Sequence, residues 1–275
     1  MSLKDDETFV RQRYEDVAAV EQTLGSLLPH PADMPDALNT LFEAMRYGVL
    51  GGGKRFRPHL TLSVARLFRA PPMRALRVAA AVECVHAYSL IHDDLPCMDN
   101  DDVRHGQPTV HRQYGKAAAL LAGNGLLTLA FEVLGEEATH DDASVRCALV
   151  SGLAVACGGY GMMGGQMLDI TSGGAERVND SRIGSLKTGA LMGFACEAGA
   201  IVGGADEINR IRMRDFGLCV GRAFQIADDR LDADGTTPFE RAVELVSEAV
   251  THLECFGARA DILQAAARFA IMREQ

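Results

Sequence analysis

Apolar positions recur along this chain at helical spacing, and no stretch alternates apolar and polar residues as a half-buried strand does. Phe9, Arg13, Asp16/Val17, Val20 and Leu24 outline a first amphipathic helix, closed by Gly25 and Pro29. A second runs from Asp36 to Tyr47 and ends at Gly48 and the run Gly51-Gly52-Gly53. Pro58, which a helix accepts at its first position, opens a third that reaches Phe68. Residues 73–92 are apolar nearly all round (Ala79, Ala80, Ala81, Val82, Val85, Leu90, Ile91), the pattern of a helix at the centre of a bundle. Further helices are predicted over 109–135, 143–158, 180–202, 206–233 and 238–270, with breaks at the Gly-rich 158–165 and at 171–180. With no Asn-Gly hairpin signal, no internal repeat and no Pro/Ser linker, the expectation is one all-α domain over residues 1–275, a bundle of about ten helices.

Composition narrows the class. A length of 275 residues, 48% hydrophobic, gives ample material for one large core. The formal net charge of −10 argues against a nucleic-acid partner. Residues 1–24 carry Lys4, Asp5, Asp6 and Glu7 and no long apolar segment, so no secretory signal is expected. Gly, Cys, Glu and His interrupt the apolar stretches, so no membrane span is expected either, and the cytoplasm is the default location. The seven cysteines are scattered without a C-x-x-C pair, which suits free buried thiols.

Three constellations carry chemistry. His92-Asp93-Asp94-Leu95-Pro96-Cys97-Met98-Asp99-Asn100-Asp101-Asp102 places five carboxylates within ten residues, directly after the most apolar helix. Charge runs are commonly solvated loops, but carboxylates at the end of a core helix need cations, and all-oxygen donors select a hard ion such as Mg2+. In Gln225-Ile226-Ala227-Asp228-Asp229-Arg230-Leu231-Asp232, the polar groups recur at i, i+3/i+4 and i+7 and share one helical face with Gly221, which leaves room for something to approach. Two such acidic helices facing each other would repel unless metals lay between them, an arrangement that clamps a polyanion. Gly51-Gly52-Gly53-Lys54-Arg55-Phe56-Arg57-Pro58 joins a free backbone, three cations and a helix N-terminus, which makes a phosphate site; its spacing is not that of a P-loop.

Smaller features add to these. Arg104 follows the first acidic run, and Lys187-Thr188-Gly189 interrupts an apolar helix. His86 lies seven residues before Asp93 on the same helical face, where a satisfied core histidine is the plainer reading. Gln166 and Asp169 stand after the glycine break as supporting groups.

The ordered motifs GGGKRFRP, VECVHAYSLIHDDLPCMDNDD, GQPTVH, GGQMLD, LKTGAL and FQIADDRLD resemble those of the trans-isoprenyl (polyprenyl) diphosphate synthase family, in particular its short-chain bacterial, farnesyl-making members. The resemblance runs from about Gly48 to Asp232. It implies an all-α bundle around a deep central cavity, usually a homodimer. It also implies condensation of isopentenyl diphosphate with an allylic diphosphate, dimethylallyl or geranyl, using Mg2+, three ions per active site. By the same resemblance Asp93, Asp94, Asp99, Asp228 and Asp232 would bind Mg2+ and the allylic diphosphate, which Arg104 and Lys187 would also contact. Lys54, Arg57 and His86, with His105, would hold isopentenyl diphosphate. The backbone of Lys187 and Thr188 and the side chain of Gln225 would face the forming allylic cation. Tyr88 and Ser89, five and four residues before Asp93, would form the floor that limits the product to C15; C20 stays open, because one residue does not describe a cavity.

Two departures stand out. The family usually has consecutive arginines after the first acidic motif, where this chain has Arg104-His105, so isopentenyl diphosphate binding should be weaker or pH-sensitive. After the second motif the family continues with a loop bearing Gly-Lys and further lysines; this chain passes from Asp234-Gly235 to Thr236-Thr237-Pro238, with no lysine to close over the diphosphate. Arg230 replaces a usual aliphatic. A class I terpene cyclase would share the fold but not the second D-D-x-x-D motif or the Lys54, Arg57 and His86 set. A non-catalytic subunit of the same fold would be expected to lose acidic residues that are intact here.

Overall fold

A computed structural model describes residues 3–171, 181–232 and 239–272, and apart from one short hairpin the elements they form are helices. The first half comprises α1 (Leu3–Leu27), a 3-10 turn (Pro31–Asp33), α2 (Asp36–Leu50), α3 (Phe56–Leu67), α4 (Pro72–Asp93), β1 (Val103–Arg104), β2 (Gln107–Pro108), α5 (Val110–Tyr114), α6 (Lys116–Gly135), α7 (Ala143–Cys157) and α8 (Met162–Thr171). The second half comprises α9 (Ser181–Gly184), a π-turn (Ser185–Gly189), α10 (Ala190–Val202), α11 (Glu207–Asp232), α12 (Phe239–Thr251), a 3-10 stretch (Glu254–Ala260) and α13 (Asp261–Phe269).

The all-round apolar pattern of α4 places it at the centre: Val78, Ala79, Ala80, Ala81, Val82, Cys84 and Val85 are all buried. One apolar cluster surrounds it, with Leu126 of α6, Leu153 of α7 and Leu191 of α10. A second joins Leu60 of α3 and Met192 of α10 to Phe216 of α11, Leu245 of α12 and Leu263 of α13. Alpha10 therefore belongs to both clusters and is a second central helix. The face predicted for α1 packs inward as Phe9, Val20 and Leu24. Asp16 is buried on that face because His59 Nδ1 lies 2.7 Å from its Oδ2 and Arg66 pairs with it.

Several boundaries differ from the sequence expectation. Pro58 is the third residue of α3, since the helix already begins at Phe56; its missing N–H still falls among the four donors a helix leaves unpaired. The predicted helix 109–135 divides at Gly115 (φ 86), and the predicted helix 238–270 is broken by the 3-10 stretch. Alpha8 absorbs the second half of the glycine run expected to be a loop, including Gly164 and Gly165. The antiparallel hairpin, Val103 opposite Pro108, was not expected. Its turn residues, His105 (φ 52) and Gly106 (φ 76), both adopt the positive φ of a type I′ turn, with His in the place where Asn is usual. Thr171, the first residue of the predicted break at 171–180, still belongs to α8; the rest of that break and the short connection after Asp234 lie outside the described residues.

The apolar stretches are longer than the sequence reading allowed, and the cysteines are only partly buried. By length and composition, α6 and the Ala143–Thr171 region are apolar enough to cross a membrane. One face of α6 instead packs into the core through Ala119, Ala122, Leu126, Ala130, Val133 and Leu134. Of the seven free cysteines, Cys84, Cys157, Cys196 and Cys219 are buried, whereas Cys97, Cys147 and Cys255 are exposed.

Candidate active site

The glycine run and the start of α3 build a cationic wall. Lys54 is exposed, and Arg57 Nη1 lies 3.2 Å from His86 Nε2 on α4. Burial, then the charge of Arg57, holds the His86 imidazole well below its usual range, so it is neutral and Nε2 accepts from the guanidinium. The third cation of the turn, Arg55, borders the same cavity but is held by the protein itself. It is 4% exposed and donates from Nη1 to Glu83 (2.6 Å) and from Nε to Glu21 (2.8 Å). The tip of the hairpin closes this wall from above, such that a Cβ at Gly53 would stand 3.8 Å from His105 Nε2. Burial and then the neighbouring Arg104 lower the pKa of His105 as well.

The first acidic motif begins where α4 ends. Asp93 is its last residue and Asp94 its C-cap. Burial, reinforced by Asp99 and Asp94 and opposed by Lys187, pushes the Asp93 carboxyl up to about 6. Asp99 is exposed, and its N–H donates to the Asp93 carbonyl at 2.8 Å, which folds the loop back over the helix end. Asp94 is only 2% exposed and accepts from Arg104 Nε at 2.8 Å. Arg104, expected at the diphosphate, thus holds a carboxylate of the motif, and Asp94, expected as a metal ligand, faces a guanidinium.

Opposite stands the π-turn. Single π-turns inside helices concentrate at functional sites because they redirect side chains and carbonyls. Here Lys187 Nζ donates to Asp169 Oδ2 at 2.7 Å, and Thr188 Oγ1 donates to Gln225 Oε1 at 2.5 Å. This packing needs Gly165, since a Cβ there would lie 2.1 Å from the Lys187 nitrogen. Gly221 is explained the same way: the group that approaches it is the backbone of Gly189, 2.7 Å from where a Cβ would stand, not a ligand.

Two cavities meet between these walls. The first, about 370 Å³, is lined by Lys54, Arg57, His86, Arg104, His105 and Asp228 among others. The second, about 460 Å³, is mainly apolar; Tyr88, Leu95, Met98, Met162 and Met167 line it, together with the polar Ser89, Asp93, Gln166 and Lys187. Arg57, His86, Leu90 and Thr188 border both. Tyr88 is 7% exposed, and its ring meets that of His92 edge-on at 5.0 Å.

No three metal-type side chains converge among the described residues; the side chains of Asp229 and Asp232 lie outside this description. The donor set nevertheless fits a hard divalent cation. Asp93 and Asp99 supply oxygen donors at the end of a core helix, where burial and then the neighbouring Asp99 raise the Asp93 carboxyl, and Mg2+ needs only one or two carboxylates when phosphates and waters complete its shell. Sequence reasoning counted Arg55 among the phosphate-site cations and missed its pairing with Glu83, and it missed the hairpin that carries His105. The pairing of Arg55 with Glu83 had a signal in the spacing Glu83-x-x-His86, which puts both residues on one face of α4.

Residues 38–239 match the family model described as Polyprenyl synthetase. The chain is similar to a farnesyl diphosphate synthase of Geobacillus stearothermophilus, 45% identical over 199 residues, which cover 71% of this chain and 67% of that protein. It is also similar to geranylgeranyl pyrophosphate synthase 4 of Arabidopsis thaliana, 41% identical over 217 residues, which cover 77% of this chain and 57% of that one. Among solved structures, the apo form of an FPP/GFPP synthase from Zymomonas mobilis superposes with a TM-score of 0.90 at 41% identity, covering 96% of this chain and 99% of the other.

Proposed function

The chain belongs to the polyprenyl synthetase family, and we propose that within it this protein is a Mg2+-dependent prenyltransferase that joins isopentenyl diphosphate to dimethylallyl or geranyl diphosphate and releases farnesyl diphosphate. The observation that carries this reading is the junction of the two cavities. A chamber bearing Lys54, Arg57 and Arg104, suited to one diphosphate, shares Arg57, His86, Leu90 and Thr188 with an apolar chamber suited to a prenyl tail, and Asp93 lines the latter.

In this reading Lys54, Arg57 and His86 hold isopentenyl diphosphate, with neutral His86 orienting the Arg57 fork. Asp93, Asp99, Asp228 and Asp232 would hold Mg2+, which, when bound, neutralises charge on the allylic diphosphate as it leaves. Arg104 and Lys187 contact that diphosphate, and each gives up part of its present carboxylate pairing to do so. The allylic C–O bond breaks, the C=C of isopentenyl diphosphate attacks the cation, and the departed diphosphate takes the proton. The π-turn carbonyls and Gln225 Oε1 present partial negative charge to the cation, while apolar residues such as Leu95 and Met98 exclude the water that would quench it. Tyr88 blocks the tail cavity. A homodimer belongs to the same reading: α6 and α7 leave Leu120, Leu121 and Val155 exposed, an apolar surface for a second copy.

One test addresses the Arg104-His105 departure. His105 is held below its usual pKa by burial and by neighbouring cations, so it is mostly neutral near pH 7. An arriving diphosphate favours its protonated form, so binding takes up a proton and strengthens as pH falls. With saturating Mg2+, the KM for isopentenyl diphosphate should fall severalfold from pH 8 to pH 6, and His105→Arg should flatten that dependence. A flat profile in the unsubstituted protein would remove His105 from the site.

A further inference from the structure

Of the three cations in the basic turn, one borders the first cavity yet is already engaged by the protein's own carboxylates. Arg55, the N-cap of α3, has φ 46, in the left-handed region that a side chain other than Gly seldom adopts. That twist sends its guanidinium inward while Lys54 stays exposed and Arg57 reaches His86. Inside the protein Arg55 is held by Glu83 Oε1 (2.6 Å), Glu21 Oε1 (2.6 Å) and the Val49 carbonyl (2.6 Å). Glu83 is 3% exposed, and its second oxygen has no partner among the described residues. Glu83 and His86 stand three residues apart on α4, hence on one face. A single helix face therefore receives Arg55 at one point and Arg57 at the next.

We propose that Glu83 is a positioning residue of the isopentenyl diphosphate site: by gripping Arg55 it sets the register of the turn, so that Lys54 and Arg57 face the substrate together. This rests on the reading of that site given above. A buried ion pair can also serve stability alone, and the two roles separate experimentally. Removing one partner strands a buried charge, whereas replacing both by apolar residues of similar volume commonly leaves a fold intact.

The test is calorimetric titration of isopentenyl diphosphate into the intact protein, Glu83→Gln and the double variant Arg55→Met/Glu83→Met, with melting temperatures and both KM values. Glu83→Gln should weaken isopentenyl diphosphate binding roughly tenfold or more, the scale on which groups that orient binding residues act. Its KM for the allylic diphosphate should move less than about twofold. The double variant should melt like the unsubstituted protein yet stay weak for isopentenyl diphosphate. Recovery of full affinity in the double variant, or an equal rise in both KM values, would overturn the positioning role. Affinity unchanged in both variants overturns it as well. Failure of the unsubstituted protein to bind isopentenyl diphosphate would overturn the functional reading and this inference with it.

Discussion

Asp93→Asn is expected to cut condensation by ~10³-fold or more while leaving the protein at least as stable as before. The activity loss follows from position: Asp93 ends α4 and lines the tail cavity, and an amide cannot supply the charge that a divalent cation and a leaving diphosphate require there. The stability argument follows from its raised carboxyl, at about 6. Between the ordinary carboxylate range and that value the folded chain holds a proton that the unfolded chain has released. Stability therefore falls as pH rises through this window, and above about pH 6 ionised Asp93 costs the fold roughly 3 kcal/mol. Asparagine removes that cost, so the melting temperature measured without Mg2+ at pH 8 should rise by several degrees. A lower melting temperature would mean that Asp93 is a structural partner, and retained turnover would remove it from the metal site.

The second large effect is on product length. Tyr88→Ala is expected to move the main product from C15 to C20 or longer, read by chromatography of the dephosphorylated alcohols. Tyr88 sits on the α4 face that lines the apolar cavity, about one turn below Asp93, with its ring wedged edge-on against His92. Burial pushes the phenol up to about 12, so the group stays neutral and acts by bulk. Losing the ring costs roughly 3 kcal/mol of packing, which the apolar clusters around α4 should tolerate. An unchanged C15 product from a folded variant would place the floor elsewhere in the cavity, for instance at Met162 or Met167.

Much of the architecture was legible because burial dominates it. The all-round apolar stretch ending at Asp93 could only be a central helix, and Gly51-Gly52-Gly53 could only precede a helix start. The cationic wall was legible in type but not in direction. Three cations within four residues look equivalent in a sequence, yet Arg55, at positive φ, is held by Glu83 and Glu21. The hairpin escaped notice because His105 adopts a backbone conformation normally signalled by Asn or Gly. The helix over Met162–Thr171 escaped because its glycines, read as a break, serve the close contact between Gly165 and Lys187. The pairing of Asp94 with Arg104 depends on the hairpin and so was equally hidden.

The most direct test of the central claim is incubation of the purified protein with Mg2+, radiolabelled isopentenyl diphosphate and, in turn, dimethylallyl or geranyl diphosphate, with products resolved by chain length. The account predicts farnesyl diphosphate as the dominant product from either allylic substrate, and none once the metal is chelated. A folded protein that binds both diphosphates and forms no new carbon–carbon bond would contradict it, and would leave a non-catalytic member of the family as the better reading.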